Sequence, residues 1–279
     1  MCELLAMSAR VPTNLHVSVD ELARHGGGAG PHRDGWGIAY LQDRDVMLVR
    51  EPDAAHDSEC LRFVQARDPT STIVVAHVRR ATQGDRLLRN TQPFARELGG
   101  RMHVFAHNGM LPGIEHDRRF RVRWYRRVGD TDSEHAFCAL LERLRPLWEH
   151  GVPDLDDRLA EIHDFAAELR SVGPANFIYS DGDAVFAHGH RRRNDSGAIE
   201  PPGLHVLCRR CREGGAGDQD VALVASVPLT REAWRPLAEG ELIVLRDGRV
   251  VRSVNVERRR RDLVFVEQAD DRTVAVEDG

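Results

Sequence analysis

The sequence contains no lysine, few aromatic residues and no long apolar run. All 39 basic side chains in the 279-residue chain are therefore arginine, which is typical of a gene with GC-rich codons. The formal net charge of -5 argues against a general nucleic-acid binder, because surfaces that follow phosphate backbones usually need a net basic field. No apolar run approaches the roughly 18 residues that span a bilayer, and no secretory leader pattern opens the chain. We therefore expect a cytoplasmic protein with no nucleic-acid and no membrane partner.

Cysteine is also scarce, and its spacing is irregular. The five cysteines, an odd number, are a poor match to a disulfide framework in a chain of this length, so reduced thiols are expected. Cys208 and Cys211 form a CxxC pair, with His205 three residues earlier. A closed structural zinc site needs four ligands, however, and the sequence has no second CxxC. We expect neither a metal nor a cofactor.

Short runs of apolar and β-branched residues recur along the chain and predict a sheet-rich protein. The first run alternates over Met1–Ala9, at the N-terminus of the sequence. Further strand candidates are Ile38–Leu41, Thr72–Val78, Met102–Ala106, Asn176–Tyr179, Ala184–Ala187, Leu204–Leu207, Val221–Ser226, Leu242–Arg246 and Val250–Val254. The pairs Asp181-Gly182 and Asp247-Gly248 separate neighbouring runs as hairpin turns do, because both tolerate positive φ angles. The sheets should therefore be mainly antiparallel.

Helices are predicted mainly between the strand candidates Met102–Ala106 and Asn176–Tyr179. Apolar residues recur at helical spacing from Thr131 to about Glu149 and from Leu155 to about Val172. Thr131 and Glu134 are spaced as a capping box at the start of the first of these helices. Ser18 and Glu21 have the same spacing, which predicts that a shorter helix begins at Ser18.

The composition is that of a folded enzyme, with 41% hydrophobic and 30% charged residues. The chain contains no internal repeat and no low-complexity linker. We therefore expect an α+β fold of two sheets with helices packed outside them. One domain should cover residues 1–279, with 257–279 as a candidate C-terminal appendage.

Cys2 is the first candidate for chemistry because of its position. Initiator methionine is normally removed before a small second residue, which leaves Cys2 with a free α-amino group. That amine has an ordinary pKa of about 7.7–8.0 and a thiol one of about 8.5, so proton transfer between them is nearly thermoneutral. No separate catalytic histidine is then required. The alternative is that Cys2 is a small buried apolar residue of the first strand.

The segment His77–Gly84 follows a strongly apolar strand and contains two adjacent arginines. Arginine can hold a carboxylate through two parallel hydrogen bonds. Strand alternation directs Arg79 and Arg80 to opposite faces, so only one of them should reach a pocket. The alternative is an ordinary pair of arginines at the end of a strand.

A second apolar strand ends in His107-Asn108-Gly109. An Asn amide beside a Gly N–H offers two hydrogen-bond donors for the oxyanion of acyl transfer, although an Asn-Gly pair can also be a simple turn. Further along, Asp132 lies at a predicted helix start. It either interacts with the helix dipole or binds a substrate ammonium group.

Six ordered segments give the chain a resemblance to class II glutamine amidotransferases, which are N-terminal-nucleophile hydrolases. The segments are Met1–Leu5, Asp34–Ala39, His77–Gly84, Asn90–Phe94, His107–Gly109 and Gly129–Glu134. The chain most resembles stand-alone bacterial members with the Asp-Gly-Trp-Gly loop. This resemblance implies a four-layer αββα sandwich of two mainly antiparallel sheets. It also implies that Cys2 is the nucleophile, with Asn108 and the Gly109 N–H forming the oxyanion hole.

The same resemblance implies the substrate contacts. Arg79 would hold the α-carboxylate of glutamine and Asp132 its α-ammonium group, while Thr82 would help to shape the pocket. Many members that transfer ammonia have Trp at the position of Arg80, and they carry an acceptor domain after the glutaminase. The chain has neither, so hydrolysis of glutamine or a related γ-glutamyl compound is favoured, with release of glutamate and ammonia or an amine.

Three other functions remain open from the sequence. The chain could be a glutaminase subunit that delivers ammonia to a separate acceptor synthase. It could be a metal-dependent hydrolase, because Ala-His pairs lie near three strand ends, at residues 76–77, 106–107 and 187–188. It could also be a non-catalytic γ-glutamyl binding protein. The co-occurrence of Cys2, Arg79, Asn108, Gly109 and Asp132 argues against the last of these.

Overall fold

The structure is a computed structural model that describes residues 2–28, 30–194, 196–213 and 217–255. The candidate appendage at 257–279 lies outside the described residues. The strands are β1 Glu3–Thr13, β2 Trp36–Gln42, β3 Asp45–Glu51, β4 Ser71–Val78, β5 Phe94–Leu98, β6 Arg101–Gly109, β7 Ala175–Ser180, β8 Val185–His188, β9 Arg192–Arg193, β10 Ile199–Glu200, β11 His205–Glu213, β12 Gly217–Ala225, β13 Arg235–Pro236, β14 Glu241–Arg246 and β15 Arg249–Asn255. The helices are α1 His16–Ala23, α2 Glu59–Arg67, α3 Asp132–Leu144 and α4 Leu155–Arg170.

Two large antiparallel sheets form the centre of the protein. Sheet A has seven strands in the order β13-β11-β12-β1-β4-β2-β3, and sheet B has six in the order β15-β14-β8-β7-β6-β5. The first strand, β1, occupies the middle of sheet A, where Leu5 pairs with Ala76 of β4 on one side and Ala225 of β12 on the other. The beginning of the chain is therefore held at the centre of a sheet, which gives its first residues a fixed position.

Three apolar layers show how the sheets and helices stack. Because side chains alternate along a strand, Leu4 and Leu5 of β1 enter different layers. Leu4 packs between the two sheets, whereas Leu5 packs under α1 and α2 on the outer face of sheet A. On the outer face of sheet B, aromatic residues such as Phe105 pack against Phe137 of α3 and Ile162 of α4. This order of helices, sheet, sheet and helices confirms the predicted four-layer αββα fold.

Most predicted elements are confirmed within a few residues, one predicted helix start is wrong, and several elements were not predicted. The two central helices form as α3 and α4, and the Thr131 side chain caps α3 by accepting the Glu134 N–H at 3.2 Å. The predicted helix start at Ser18 is wrong, because α1 begins at His16 with Leu15 as its N-cap. Leu15 and Leu22 are both buried under sheet A, so packing rather than a polar cap sets this start. The helix α2, the strands β3 and β5, and the two-residue strands β9, β10 and β13 were not predicted. Among the described residues, no helix is long and apolar enough to cross a membrane.

Candidate active site

Cys2 lies at the N-terminal end of β1 and contacts the ends of two other strands. Its Sγ atom lies 3.4 Å from both the backbone N and the backbone O of Arg80, which follows β4. Its carbonyl oxygen accepts a hydrogen bond of 2.6 Å from Nδ2 of Asn108, near the end of β6. These contacts join sheet A to sheet B at the candidate nucleophile.

The surroundings of Cys2 determine how readily its thiol ionises. Desolvation by burial raises the pKa of the thiol, while the Arg80 backbone hydrogen bond and the positive charge of Arg79 lower it. The negative charge of Asp132 raises it further, and the net direction is upward. A thiol in this position stays protonated unless a base takes its proton.

The Asn108-Gly109 pair is held in place on the opposite sheet. Nδ2 of Asn176 donates to the Asn108 carbonyl oxygen at 2.9 Å, and Oγ of Ser226 lies 3.4 Å from Nδ2 of Asn108. A Cβ atom at Gly109 would lie 1.7 Å from the carbonyl oxygen of Pro174. Only glycine therefore fits at this position without a backbone shift.

Arg79 and Arg80 face opposite sides, as strand alternation predicts. Arg79 is buried and Arg80 is exposed. The Arg79 guanidinium donates to four backbone carbonyls of two nearby loops at 2.9–3.3 Å, those of Asp34, Gln83, Gly84 and Asp85. These hydrogen bonds hold the loop that follows β4 in place. Burial lowers the pKa of Arg79, whereas the nearby Cys2 and Asp34 raise it.

Asp132 begins α3 and is buried close to the same centre. Its Oδ2 accepts the Leu111 N–H at 2.7 Å, and its Oδ1 accepts the Ser133 N–H at 2.7 Å. These contacts fix the carboxylate close to the end of β6, because Leu111 follows Gly109 by two residues. Its charge acts on both Cys2 and His107.

Thr82 is exposed and does not contact Cys2 directly. It lines a cleft of about 410 Å³ that begins at Arg80. The other lining residues are Ala81, Met110, Pro174, Arg193 and Ile199. The predicted site residues thus fall into a central group around Cys2 and one peripheral residue, Thr82.

The buried histidines nearby do not form a metal site. Burial lowers the pKa of His77 to about 3 and that of His188 to about 3, so both rings are neutral at physiological pH. Among the described residues, no three His, Cys, Asp or Glu side chains converge as metal ligands. Cys208 and Cys211, the CxxC pair, both lie within the extended strand β11.

Three groups that support the site were not identified from the sequence. Ser226 accepts the Leu4 N–H at 3.0 Å and so ties β1 to the residue after β12. Asn176 holds the Asn108 carbonyl from the neighbouring strand β7. Glu3 is buried beside Cys2 and lies 2.7 Å from Nδ1 of His25. Their only sequence signal is a polar residue at or near the end of a predicted strand.

Comparison with known proteins agrees with this fold. The sequence profile described as "Glutamine amidotransferases class-II" matches residues 1–268. The Escherichia coli protein YafJ, assigned by name to the glutamine amidotransferases, is 37% identical over 258 residues, covering 86% of this chain and 96% of YafJ. A crystal structure of a predicted glutamine amidotransferase from Pseudomonas aeruginosa has 32% identity and a TM-score of 0.66, covering 90% of this chain and 99% of that one.

A more distant structure shares the fold alone. The glutamine phosphoribosylpyrophosphate amidotransferase of Bacillus subtilis is 16% identical with a TM-score of 0.60, covering 91% of this chain and 49% of that one. The profile match over most of the sequence and the 37% identity to YafJ establish that the chain belongs to the class II glutamine amidotransferases.

Proposed function

We propose that the protein hydrolyses the side-chain amide of glutamine or a related γ-glutamyl compound through a thioester on Cys2. The family implies an enzyme that acts on the glutamine amide, and the geometry around Cys2 supports this nucleophile. The observation that carries the proposal is the contact of Cys2 with the Asn108 amide at 2.6 Å, because a nucleophile and an oxyanion donor must meet at one carbonyl.

The reaction begins with removal of Met1, which leaves Cys2 with a free α-amino group. That amine takes the thiol proton, and the thiolate attacks the γ-carbonyl carbon of the substrate. The Asn108 amide has two N–H bonds, which donate to the Cys2 carbonyl at 2.6 Å and to Oγ of Ser226 at 3.4 Å. The N–H in the longer contact would leave Ser226 and, with the Gly109 N–H, meet the developing oxyanion. The C–N bond then breaks as the ammonium returns its proton to the leaving nitrogen. Water hydrolyses the thioester, which releases glutamate and restores the thiol.

Arg79 and Asp132 would hold the α-carboxylate and the α-ammonium group of the substrate. The Asp132 carboxylate has about four lone-pair positions, and its hydrogen bonds to Leu111 and Ser133 leave room for an ammonium group. The terminal N–H groups of Arg79 already donate to loop carbonyls. Binding of the substrate carboxylate by Arg79 would therefore exchange some of these carbonyls and move the loop after β4.

The test is replacement of Cys2 by Ala, with Cys60→Ala as the matched control. Cys60 is a half-buried thiol on α2, on the outer side of sheet A. We expect Cys2→Ala to lower glutamate release from glutamine by about 10³-fold or more, as loss of a nucleophile does. Cys60→Ala should keep full activity. Mass spectrometry of the intact wild-type chain should show loss of Met1 and one adduct with an electrophilic glutamine analogue. Glutamate release by Cys2→Ala at the wild-type rate would refute the proposal.

A further inference from the structure

A cleft beside Cys2 is lined by two arginines and, among the residues that the structure describes, by no acidic side chain. We propose that this cleft, defined by the lining residues of the 410 Å³ space described above, binds the leaving group of the substrate. The favoured leaving group is an amine that bears a carboxylate, such as an α-amino acid or short peptide joined to glutamate through its amino group. The inference rests on the proposed γ-glutamyl hydrolysis and specifies its substrate class.

The cleft lies where a leaving group has to go. Its first lining residue, Arg80, is the one whose backbone contacts the Cys2 Sγ atom at 3.4 Å. On its other side, Met110 directly follows Gly109 of the candidate oxyanion hole. A carbonyl held between Cys2 and Gly109 therefore has this cleft next to it, and its departing amine can enter the cleft.

The charges of the cleft select for an anion. Among the described residues, the guanidinium groups of Arg80 and Arg193 make no hydrogen bond and no ion pair. Other exposed arginines nearby do: Arg86 pairs with Asp53 and Arg89 with Asp130, both at 3.2 Å. The described part of the lining contains no Asp or Glu, although the whole chain has a net charge of -5. Two unpaired guanidinium groups are suited to a carboxylate, which each can bind through two parallel hydrogen bonds.

The size and the apolar lining of the cleft favour an amino acid over ammonia. Met110 is 46% exposed and Ile199 is 40% exposed, and Pro174 also lines the cleft. An aliphatic side chain placed here would cover these apolar surfaces and gain free energy in proportion to the area buried. Ammonia, the leaving group of glutamine, would contact neither the apolar surface nor the arginines. The cleft therefore contributes binding free energy only for a larger amine.

A second cavity extends the same surface. It measures about 620 Å³ and shares Pro174 and Ile199 with the cleft. Arg170, Arg191 and His190 are among the described residues that line it, and Arg191 also pairs with Glu239 at 2.7 Å. Room for a second residue of a peptide leaving group is therefore present beyond the first.

The test compares two substrates that differ only in one charge, γ-glutamyl-alanine and γ-glutamyl-alaninamide. The ratio of their kcat/KM values measures the preference for a carboxylate. We expect the wild-type kcat/KM to be about tenfold higher for γ-glutamyl-alanine, because a hydrogen bond to a charged group changes binding by about that factor. The preference should shrink as salt is raised from 0.05 to about 1 M, because exposed charges are screened.

Three variants identify the source of the preference. Arg80→Gln and Arg193→Gln should each reduce the acid-to-amide ratio by about threefold, as expected for an exposed charge pair. Arg80→Lys should keep part of it, because the charge remains while the planar fork is lost. Arg62→Gln is the matched control, since Arg62 is an exposed arginine of α2 whose side chain has no hydrogen-bond or ion-pair partner among the described residues. It should leave the ratio unchanged.

Each outcome decides between the two proposals. Equal kcat/KM for the two dipeptide substrates would overturn the carboxylate-binding cleft, while their Cys2-dependent hydrolysis would leave the proposed function standing. A preference that survives in both Arg→Gln variants would overturn the assignment to these arginines. If neither glutamine nor any γ-glutamyl compound is hydrolysed by the wild-type protein, both proposals fail together.

Discussion

Replacement of Glu3 by Gln should reduce the pH dependence of the free energy of unfolding. Glu3 is buried at the residue after the candidate nucleophile, and its Oε2 lies 2.7 Å from Nδ1 of His25 in the glycine-rich turn after α1. His32 lies 4.0 Å from Oε1 of Glu3, and Glu21 of α1 lies 3.5 Å from Nε2 of His25. The charge of Arg192 also acts on Glu3. This cluster ties the turn to β1.

The ionisation of this cluster determines the sign of the effect. Burial raises the pKa of Glu3, but the His25 hydrogen bond and the charges of His32, His25 and Arg192 outweigh it, so the pKa is lowered. The hydrogen bond to Glu3 outweighs burial at His25 and raises the pKa of that ring. The Glu3 contribution is present above its ordinary pKa of 4.5 and is lost as pH falls through the lowered value. The His25 contribution is complete below its ordinary pKa of 6.5 and is lost as pH rises through the raised value.

The Glu3–His25 pair therefore stabilises the fold most at pH values between the two ordinary pKa values, 4.5 and 6.5, and less at alkaline pH. Gln keeps a hydrogen-bond acceptor and removes only the charge. A hydrogen bond to a charged group contributes about 1.5–3 kcal/mol, so we expect Glu3→Gln to lower the free energy of unfolding by about 1.5 kcal/mol near pH 6. Near pH 9 the loss of unfolding free energy should fall below about 0.5 kcal/mol, because His25 is then neutral and forms no ion pair with the Glu3 carboxylate.

Urea unfolding of wild type and variant at several pH values between 5.5 and 9, at constant ionic strength, measures this difference. Glu59→Gln is the control, because it removes an exposed carboxylate from α2. Its effect on the free energy of unfolding should be the same at every pH measured. A loss for Glu3→Gln that is the same at pH 9 as at pH 6, or that grows with pH, would refute the assigned role of His25.

Two further substitutions test the site itself. Gly109→Ala places a Cβ atom 1.7 Å from the Pro174 carbonyl oxygen, so we expect a stability loss of about 1–3 kcal/mol by urea unfolding and a loss of about 10²-fold in glutaminase kcat. Full activity in this variant would remove Gly109 from the oxyanion hole. Asp132→Asn should raise the KM for glutamine by about tenfold and abolish the preference for glutamine over an analogue without the α-amino group. An unchanged preference, measured from the KM of both compounds, would contradict the role of Asp132 in ammonium binding.

The elements that could be predicted are those with a strong local pattern. α3 and α4 repeat buried apolar residues at helical spacing over several turns, and Thr131 supplies a side-chain cap to α3. In contrast, α2 buries only Leu61 and Val64, which is too few for a periodic signal. The strand β3 lies at the edge of sheet A and is largely half-buried, so its sequence lacks a clear alternation.

The candidate site was predictable in its residues but not in its contacts. Cys2, Arg79, Asn108 and Asp132 could be named because each lies at the end or start of a recognisable element within a motif. The residues that hold Asn108 in place could not be predicted, because they are distant in sequence. Ser226 lies 118 residues from Asn108 along the chain, and Asn176 lies 68 residues from it. Nothing local to these two residues indicates which strand will lie beside them.

The sequence by itself determined most of the strands, the two central helices and the identity of the candidate nucleophile, because hydrophobic periodicity and motifs are local properties. The four-layer arrangement was an expectation from the family resemblance. Only the tertiary structure decided that β1 lies at the centre of sheet A, that Glu3 is buried against His25, and that Arg80 and Arg193 line one cleft. These features depend on strand order and on contacts between residues far apart in the chain, and the free energy of such contacts is set by burial and by neighbouring charges that no local pattern records.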